Sequence, residues 1–284
     1  FQTFVCFVIM VYYGAVLAWG VQYTIYSVNA AWGDDPTTFF TDTFLQVVPG
    51  DTFSWAPAWS VMIPLALVWV LVLFVIGRGL SKGVEAANKV FLPLLVILFL
   101  ALVVRALFLP GAVEGLNAFF TPNWGALADP KVWLAAFAQI FYSLSVGFGI
   151  MLTYASYLQR KSNLTGTALV AGFANSSFEI LAGIGVFSAV GFMAHQGGVS
   201  VSEVEGLTGP ILSFVTFPKI ISMMPGGPIF GVLFFSSLVL AGVTSLLSLL
   251  QVVSGGLQDK FGWSPARSAL VLGVPATAIS LTLF

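Results

Sequence analysis

Seven apolar stretches dominate the sequence, and each is about as long as a helix that crosses a bilayer, which needs roughly 17–25 residues. Hydrophobic residues make up 58% of the chain and charged residues 7%, whereas about a quarter of a soluble protein is charged. The stretches cover residues 3–29, 58–77, 88–110, 133–157, 166–194, 228–252 and 266–284. We therefore expect an all-α polytopic membrane protein of about seven transmembrane helices.

Composition excludes several classes of function. The net charge is −1, so no basic surface for nucleic acid is expected. A single cysteine, Cys6, excludes an internal disulfide framework, and a single histidine, His195, disfavours a multi-histidine metal site. The chain starts at Phe1 and ends at Phe284 inside apolar runs. We expect residues 1–284 to be one transmembrane domain that is truncated at both ends.

Positive charge alternates from loop to loop. The second, fourth and sixth loops carry Arg78, Lys82, Lys89, Arg160, Lys161, Lys260 and Arg267. The first loop carries no Lys or Arg but has Asp34, Asp35, Asp42 and Asp51. The positive-inside rule therefore puts the three basic loops in the cytoplasm. Prolines and a lysine within residues 196–227 predict a helical hairpin over the outer face in place of a further span.

The fourth stretch is a poor helix in its middle. Residues 139–149 read Gln-Ile-Phe-Tyr-Ser-Leu-Ser-Val-Gly-Phe-Gly, and glycine and serine both disfavour a helix interior. An interrupted span is typical of a helix broken around a polar binding site. Small residues are equally typical of a seam where membrane helices pack closely. The stretch by itself leaves both interpretations open.

The fifth stretch contains Asn175 and Glu179, which lie on one helical face. A carboxylate inside the membrane is a functional candidate by default, although a protonated glutamate could also stabilise helix packing. In the sixth stretch Thr244, Ser248 and Gln251 form a polar stripe, which hydrogen bonds between helices would explain without a ligand.

Three polar features thus fall in separate spans, and all of them are rich in oxygen: Ser143/Ser145, Asn175/Glu179 and Thr244/Ser245. Oxygen ligands suit a hard cation, and an alkali cation beside an organic substrate fits a broken helix. An intramembrane serine hydrolase is the rival class, but its base would be His195, which has no orienting carboxylate nearby in the sequence. We therefore do not expect an enzyme. A non-transporting accessory subunit is a third class.

Several motifs in order resemble the neurotransmitter:sodium symporters, and their bacterial amino-acid branch in particular. They are Tyr12-Tyr13, residues 139–149 continued by Thr153–Tyr157, residues 174–179 (Ala-Asn-Ser-Ser-Phe-Glu), and residues 241–245 (Ala-Gly-Val-Thr-Ser) with Gln251. The resemblance implies a fragment of that family's inverted-repeat bundle, covering its third to ninth transmembrane helices. It also implies a sodium-coupled symporter of the bacterial inner (plasma) membrane that works by alternating access.

The resemblance implies roles for individual residues. The substrate would contact Ile9, Tyr13, Tyr142, Ser143, Ser145, Phe148, Ser245 and Leu249. A first sodium ion would take oxygens from Ser143 and Asn175, and a second from Ala241, Thr244 and Ser245. A cytoplasmic gate would use Tyr157, Gln251 and Asp259. Both sodium sites would be completed by a first broken helix that the resemblance places before residue 1.

Glu179 stands where chloride-dependent members of the family have a serine. A fixed carboxylate there implies transport without chloride. Ile9, Phe148 and Leu249 make the expected pocket apolar, which favours a small hydrophobic or aromatic amino acid, although Tyr142 replaces a phenylalanine of many members. The alternative is a proton-coupled amino-acid carrier of related architecture. The expected partners are the amino-acid substrate, sodium and the lipid bilayer, with no nucleic acid, and the sequence gives no oligomeric state.

Overall fold

The protein is almost entirely helical over residues 1–47, 57–159 and 161–282, which are the residues that the computed structural model describes. In chain order the α-helices are α1 Gln2–Tyr26, α2 Pro36–Thr38, α3 Trp59–Gly77, α4 Ala86–Leu107, α5 Ala112–Phe120, α6 Pro130–Ser143, α7 Ile150–Ser156, α8 Leu164–Gly197, α9 Gly209–Ile211, α10 Phe217–Met223, α11 Gly227–Phe261 and α12 Pro265–Leu281. Shorter π- and 3-10-helical turns are Phe39–Phe44, Leu80–Glu85, Trp124–Ala128, Val201–Glu203 and Leu212–Thr216.

Five helices among the described residues are long and apolar enough to cross a membrane. They are Gln2–Tyr26, Trp59–Gly77, Lys82–Leu107, Leu164–Gly197 and Gly227–Phe261. The interrupted pair α6 and α7 and the 17-residue helix α12 account for the other two predicted spans. The prediction of an all-α polytopic fold is therefore confirmed, and one of its spans is broken in the middle.

Helices α1, α3, α11 and α12 pack against one another around an apolar core. Small residues allow the backbones to come close, as is usual in membrane bundles. A Cβ atom on Gly242 of α11 would lie 2.7 Å from Cδ1 of Leu17 on α1. Likewise, a Cβ on Gly14 of α1 would lie 3.2 Å from Nε1 of Trp69 on α3. These crossings hold α1 against both α11 and α3.

Aromatic side chains fill the opposite half of the bundle. The ring of Tyr23 stacks on Trp32 at 5.9 Å and meets Phe214 edge-on at 5.1 Å. Phe214 belongs to the helical segment 209–223, which is too short for a full span, in agreement with the predicted hairpin. Nε1 of Trp32 donates a hydrogen bond to Oγ of Ser222 at 2.9 Å, so this segment is anchored to the first loop.

The three predicted basic loops meet at one end of the bundle, which we call the basic face. A Cβ on Gly79 would lie 3.4 Å from Pro265, so the second and sixth loops are in contact there. Helix α11 continues to Phe261, past the predicted end at residue 252, because a helix can run into water once it has left the apolar layer. Asp51 and Arg160, two charges used for the topology, lie outside the described residues, as do residues 283–284.

Candidate functional site

The fourth span is interrupted between Ser143, where α6 ends, and Ile150, where α7 begins. Three residues of the connection have a left-handed backbone: Ser145 at φ 53°, Gly147 at φ 88° and Gly149 at φ 78°. Glycine takes up this conformation freely, whereas a serine in it is uncommon. The structure therefore shows that this stretch is a broken helix and not a continuous helix at a packing seam.

The connection is held by the first turns of α1. The thiol of Cys6 donates a hydrogen bond to the carbonyl oxygen of Phe148 at 3.1 Å, which satisfies one backbone group that the helix break leaves free. Gln2 lies beside Gly149, because a Cβ atom on this glycine would be 2.9 Å from Oε1 of Gln2. Sequence reasoning missed both residues, because nothing in the order of the chain links α1 to residues 148–149.

A cavity of about 270 Å³ lies beside the broken helix. Its walls are Ile9, Tyr13, Tyr142, Ser143, Ser145, Phe148, Ile150, Ser245, Ser248 and Leu249. All eight residues predicted to contact the substrate are in this set, and Ile150 and Ser248 are additions. We call it the central cavity. It is open on the side of Tyr142, whose side chain is 66% exposed.

The central cavity has a polar edge and an apolar remainder. Tyr13, Ser143 and Ser245 contribute hydroxyl groups to its wall. The rings of Tyr142 and Phe148 are 6.2 Å apart at an interplanar angle of 83°, so they form two adjoining walls. Leu249 is buried beneath them. The cavity can therefore hydrogen-bond one end of a small molecule and cover the other end with hydrocarbon.

Ser143 joins the broken helix to the polar pair on α8. Nδ2 of Asn175 donates to Oγ of Ser143 at 2.6 Å and lies 3.3 Å from Oε1 of Glu179. The Ser143 hydroxyl in turn donates to Oε1 of Glu179. The predicted first sodium pair, Ser143 and Asn175, is therefore in direct contact, and Glu179 completes a three-residue cluster that remains partly exposed.

The predicted second sodium set lies on one turn of α11. Oγ1 of Thr244 donates to the carbonyl oxygen of Ala241 at 2.8 Å, and Ser245 follows on the wall of the central cavity. Neither Ala241 nor Thr244 lines that cavity. Within the described parts of the chain no three His, Cys, Asp or Glu side chains form a metal cluster. The two predicted sets offer hydroxyl, amide and carbonyl oxygens, and the Glu179 carboxylate lies beside the first set.

Two tyrosines of the broken helix reach the polar stripe on α11. Nε2 of Gln251 donates to the hydroxyl of Tyr157 at 3.3 Å, which joins two of the predicted gate residues. The hydroxyls of Tyr154 and Ser248 are 2.9 Å apart. Asp259, the third predicted gate residue, is exposed about two turns beyond Gln251. Ser248 and Gln251 of the stripe thus make hydrogen bonds between helices, whereas the Thr244 hydroxyl bonds within α11.

His195 has a carboxylate partner that lies far from it in the sequence. Its Nδ1 lies 3.3 Å from Oε1 of Glu114 on α5, so an orienting carboxylate does exist, although it is distant in sequence. The pair is at the outer end of α8. His195 follows Asn175 by 20 residues on the same helix, which is about 30 Å along its axis, so it lies far from Ser143 and cannot serve as its base.

Comparison with known proteins agrees with this geometry. A family model described as the Sodium:neurotransmitter symporter family matches residues 30–284. An uncharacterized sodium-dependent transporter of Methanocaldococcus jannaschii is 38% identical over 269 residues, which are 94% of this chain and 54% of that protein. The human sodium- and chloride-dependent creatine transporter 1 is 34% identical over 222 residues, or 78% of this chain and 34% of that protein.

Among solved structures, the crystal structure of MhsT in complex with L-phenylalanine matches with a TM-score of 0.78 and 34% identity. The match covers 99% of this chain and 60% of MhsT, and the chain spans about half the length of the archaeal relative. The apolar helices and the match to MhsT identify a multi-pass integral membrane protein of the transporter fold. The chain belongs to the Sodium:neurotransmitter symporter family.

Proposed function

We propose that the protein containing this chain is a sodium-coupled symporter that imports a small hydrophobic or aromatic amino acid. The observation that carries the proposal is the central cavity, which gathers the hydroxyls of Tyr13, Ser143 and Ser245 beside apolar walls at a helix break. Family membership adds sodium as the coupling ion. The proposed cycle is alternating access, in which bound ligands bias the protein between outward- and inward-open states.

The size and lining of the central cavity support an amino acid as substrate. Its volume of about 270 Å³ is below the roughly 300–1,000 Å³ of pockets for drug-sized ligands, which suits a single small molecule. Tyr13 and Ser145 offer hydrogen bonds to the polar end. Ile9, Phe148 and Leu249 offer hydrocarbon to the side chain. The structural relative MhsT was crystallised with L-phenylalanine, a ligand of this shape.

Two sets of oxygen ligands support sodium as the co-transported ion. Ser143 with Asn175 forms one set, and residues 241–245 form the other. Hydroxyl, amide and carbonyl oxygens are the ligands that hard cations prefer. Ser143 and Ser245 also line the central cavity, so a substrate carboxylate there could complete a sodium shell and couple the two binding events.

Glu179 supports transport without chloride. Its carboxylate accepts a hydrogen bond from Ser143, a proposed sodium ligand, so a negative charge of the protein already offsets the cation. An added chloride ion would be repelled by this charge. In this proposal Glu179 does for the first sodium ion what a bound anion would do in a chloride-dependent carrier.

The test is uptake by the complete protein in proteoliposomes with a sodium gradient. We expect uptake of a labelled aromatic amino acid only with sodium, unaffected by replacement of chloride with gluconate. Apolar amino acids should compete, and charged ones should not. Uptake that follows a proton gradient without sodium would favour the proton-coupled carrier. Equal competition by charged amino acids would contradict the substrate assignment.

The chloride proposal has its own test. Glu179→Ser should make uptake depend on chloride, because the mutation removes the compensating charge and leaves a hydroxyl for the anion. Glu205→Ser, which removes an exposed carboxylate from the outer segment, is the matched control and should leave anion independence unchanged. If Glu179→Ser takes up substrate equally well with and without chloride, Glu179 does not replace the anion.

A further inference from the structure

A second and larger cavity opens at the basic face. Its volume is about 900 Å³, and residues of the second, fourth and sixth loops contribute to its walls, among them Glu85, Lys89 and Gln258. Tyr154 and Tyr157 of the broken helix complete the side that faces α11. We call it the basic-face cavity. It lies along the path between the central cavity and the side of the membrane that the positive-inside rule identifies as cytoplasmic.

A pair of hydroxyl groups joins the walls of the two cavities. Ser248 belongs to the wall of the central cavity, and Tyr154 belongs to the wall of the basic-face cavity. Their hydroxyl oxygens are 2.9 Å apart, so one hydrogen bond connects the floor of the first cavity with the roof of the second. Oγ of Ser248 also contacts the carbonyl oxygen of Thr244 at 3.0 Å, which fixes its position on α11.

This contact lies one helical turn away from the pair predicted as a gate. Tyr154 and Tyr157 are three residues apart on one side, and Ser248 and Gln251 are three residues apart on the other, so the two hydrogen bonds form parallel rungs. A Cβ on Gly255 would lie 3.2 Å from the hydroxyl of Tyr157, so the helices are close at this level. The rung at Tyr154 is the one that touches the central cavity.

We infer that the Tyr154–Ser248 hydrogen bond is a latch that closes the floor of the central cavity, separate from the Tyr157–Gln251 pair. The inference rests on the proposed transport function, because only a carrier must open this cavity to the basic face. Both residues are positioning residues: they hold α7 against α11 while the cavity is closed. Opening of the cavity towards the cytoplasm requires this bond to break.

Loss of a neutral hydrogen bond of ordinary strength should shift the equilibrium towards the inward-open state about five-fold. The reporter is Ile150→Cys in the complete protein, because Ile150 lines the central cavity at the start of α7. A membrane-impermeant thiol reagent is applied to either side of oriented vesicles, and the labelling rate is measured without substrate. The protein without Ile150→Cys serves as the blank, and the labelling of its other cysteines is subtracted.

Tyr154→Phe and Ser248→Ala should each raise labelling from the cytoplasmic side about five-fold without raising it from the outer side. The double variant should label no faster than either single variant, since both remove the same bond. Tyr26→Phe and Ser237→Ala are the matched controls. The first removes a hydroxyl from the outer aromatic cluster, and the second removes one from α11 whose hydrogen bond stays within the helix.

A rise from both sides would indicate general loosening and would overturn the latch, as would unchanged labelling in the two variants. If one variant does not fold, the other still decides, because each removes the bond independently. Sodium-dependent binding of a labelled aromatic amino acid is measured in parallel. Its absence from the unmutated protein would overturn the proposed function, whereas the labelling rates would still decide on the latch.

Discussion

Substitution of Gly191 by alanine gives a sharp test of how helix α8 is packed. A Cβ at this position would lie 2.5 Å from the carbonyl oxygen of Gly111 and 2.6 Å from the backbone nitrogen of Gly115, where ordinary contact is 3.4–4 Å. These are backbone atoms, so no side chain can rotate out of the way. The reciprocal contact is equally close, because a Cβ on Gly115 would lie 1.8 Å from the carbonyl oxygen of Phe187.

The size of the effect follows from this geometry. Helix α5 would have to move away from α8 by nearly 1 Å, and a gap of about 0.5–1 Å forfeits a quarter to a half of each dispersion contact. Overpacking costs about 1–3 kcal/mol, and the better helix propensity of alanine offsets up to about 1 kcal/mol of that. We therefore expect Gly191→Ala to lower the free energy of unfolding by about 1–2 kcal/mol.

Gly172 on the same helix is the matched control. No atom outside its local helix lies within 4 Å of a Cβ built there, so Gly172→Ala should keep the gain of up to about 1 kcal/mol in helix propensity. One kcal/mol moves the melting temperature of a chain of this size by about 2–4 °C, so the two variants should differ by roughly 2–12 °C. The assay is thermal unfolding of the complete protein in detergent. Equal melting temperatures would refute the close contact between α5 and α8.

Two further predictions concern the broken helix and the outer loop. Gly149→Ala should destabilise the protein by about 1–2 kcal/mol in thermal unfolding, because alanine is strained at φ 78°. Adding Gln2→Ala to this variant should not restore the lost stability. Full restoration would mean that the contact with Gln2, and not the backbone conformation, causes the loss. The hydrogen bond from the Thr38 hydroxyl lowers the pKa of Asp35. The stabilisation that the Asp35 carboxylate gives to α2 as its cap is therefore fully present above the ordinary pKa of an aspartate, and it is lost as the pH falls through the lowered pKa. At low pH, hydrogen exchange corrected for its intrinsic pH dependence should therefore be faster at the amides of Thr37 and Thr38. Asp35→Ala should show the same increase at neutral pH. Protection of these amides that persists in Asp35→Ala would contradict the role of Asp35 as the cap.

Much of the fold could be predicted from the sequence because hydrocarbon imposes strict rules. Unpaired backbone groups are costly in a bilayer, so long apolar runs must be helices, and a run with Ser-Leu-Ser-Val-Gly-Phe-Gly in its middle stands out. The serines of the central cavity could be singled out from the sequence, but their grouping with its apolar residues was accessible only through the family resemblance. The cavity residues come from α1, α6, α7 and α11 and from the connection between α6 and α7, and periodicity along one helix says nothing about the register of another.

Contacts between distant parts of the chain could not be predicted in this way. Tyr154 and Ser248 are 94 positions apart, and Glu114 and His195 are 81 apart. Each of these residues has an adequate local explanation as an interfacial or packing residue, so no local signal marks it as half of a pair. The end of α11 was also missed, because hydropathy reports where the apolar layer stops and not where the helix stops.

The unbroken course of α11 has an electrical consequence. Ser245, at the proposed second sodium set, lies 7 residues before residue 252, where the apolar stretch ends, which is about 10 Å of the roughly 30 Å hydrocarbon core. A sodium ion released along α11 would therefore cross about a third of the membrane voltage, worth about 0.8 kcal/mol for each 100 mV. A negative cell interior would pull the ion in this direction, so the resting potential, and not only the sodium gradient, would drive release.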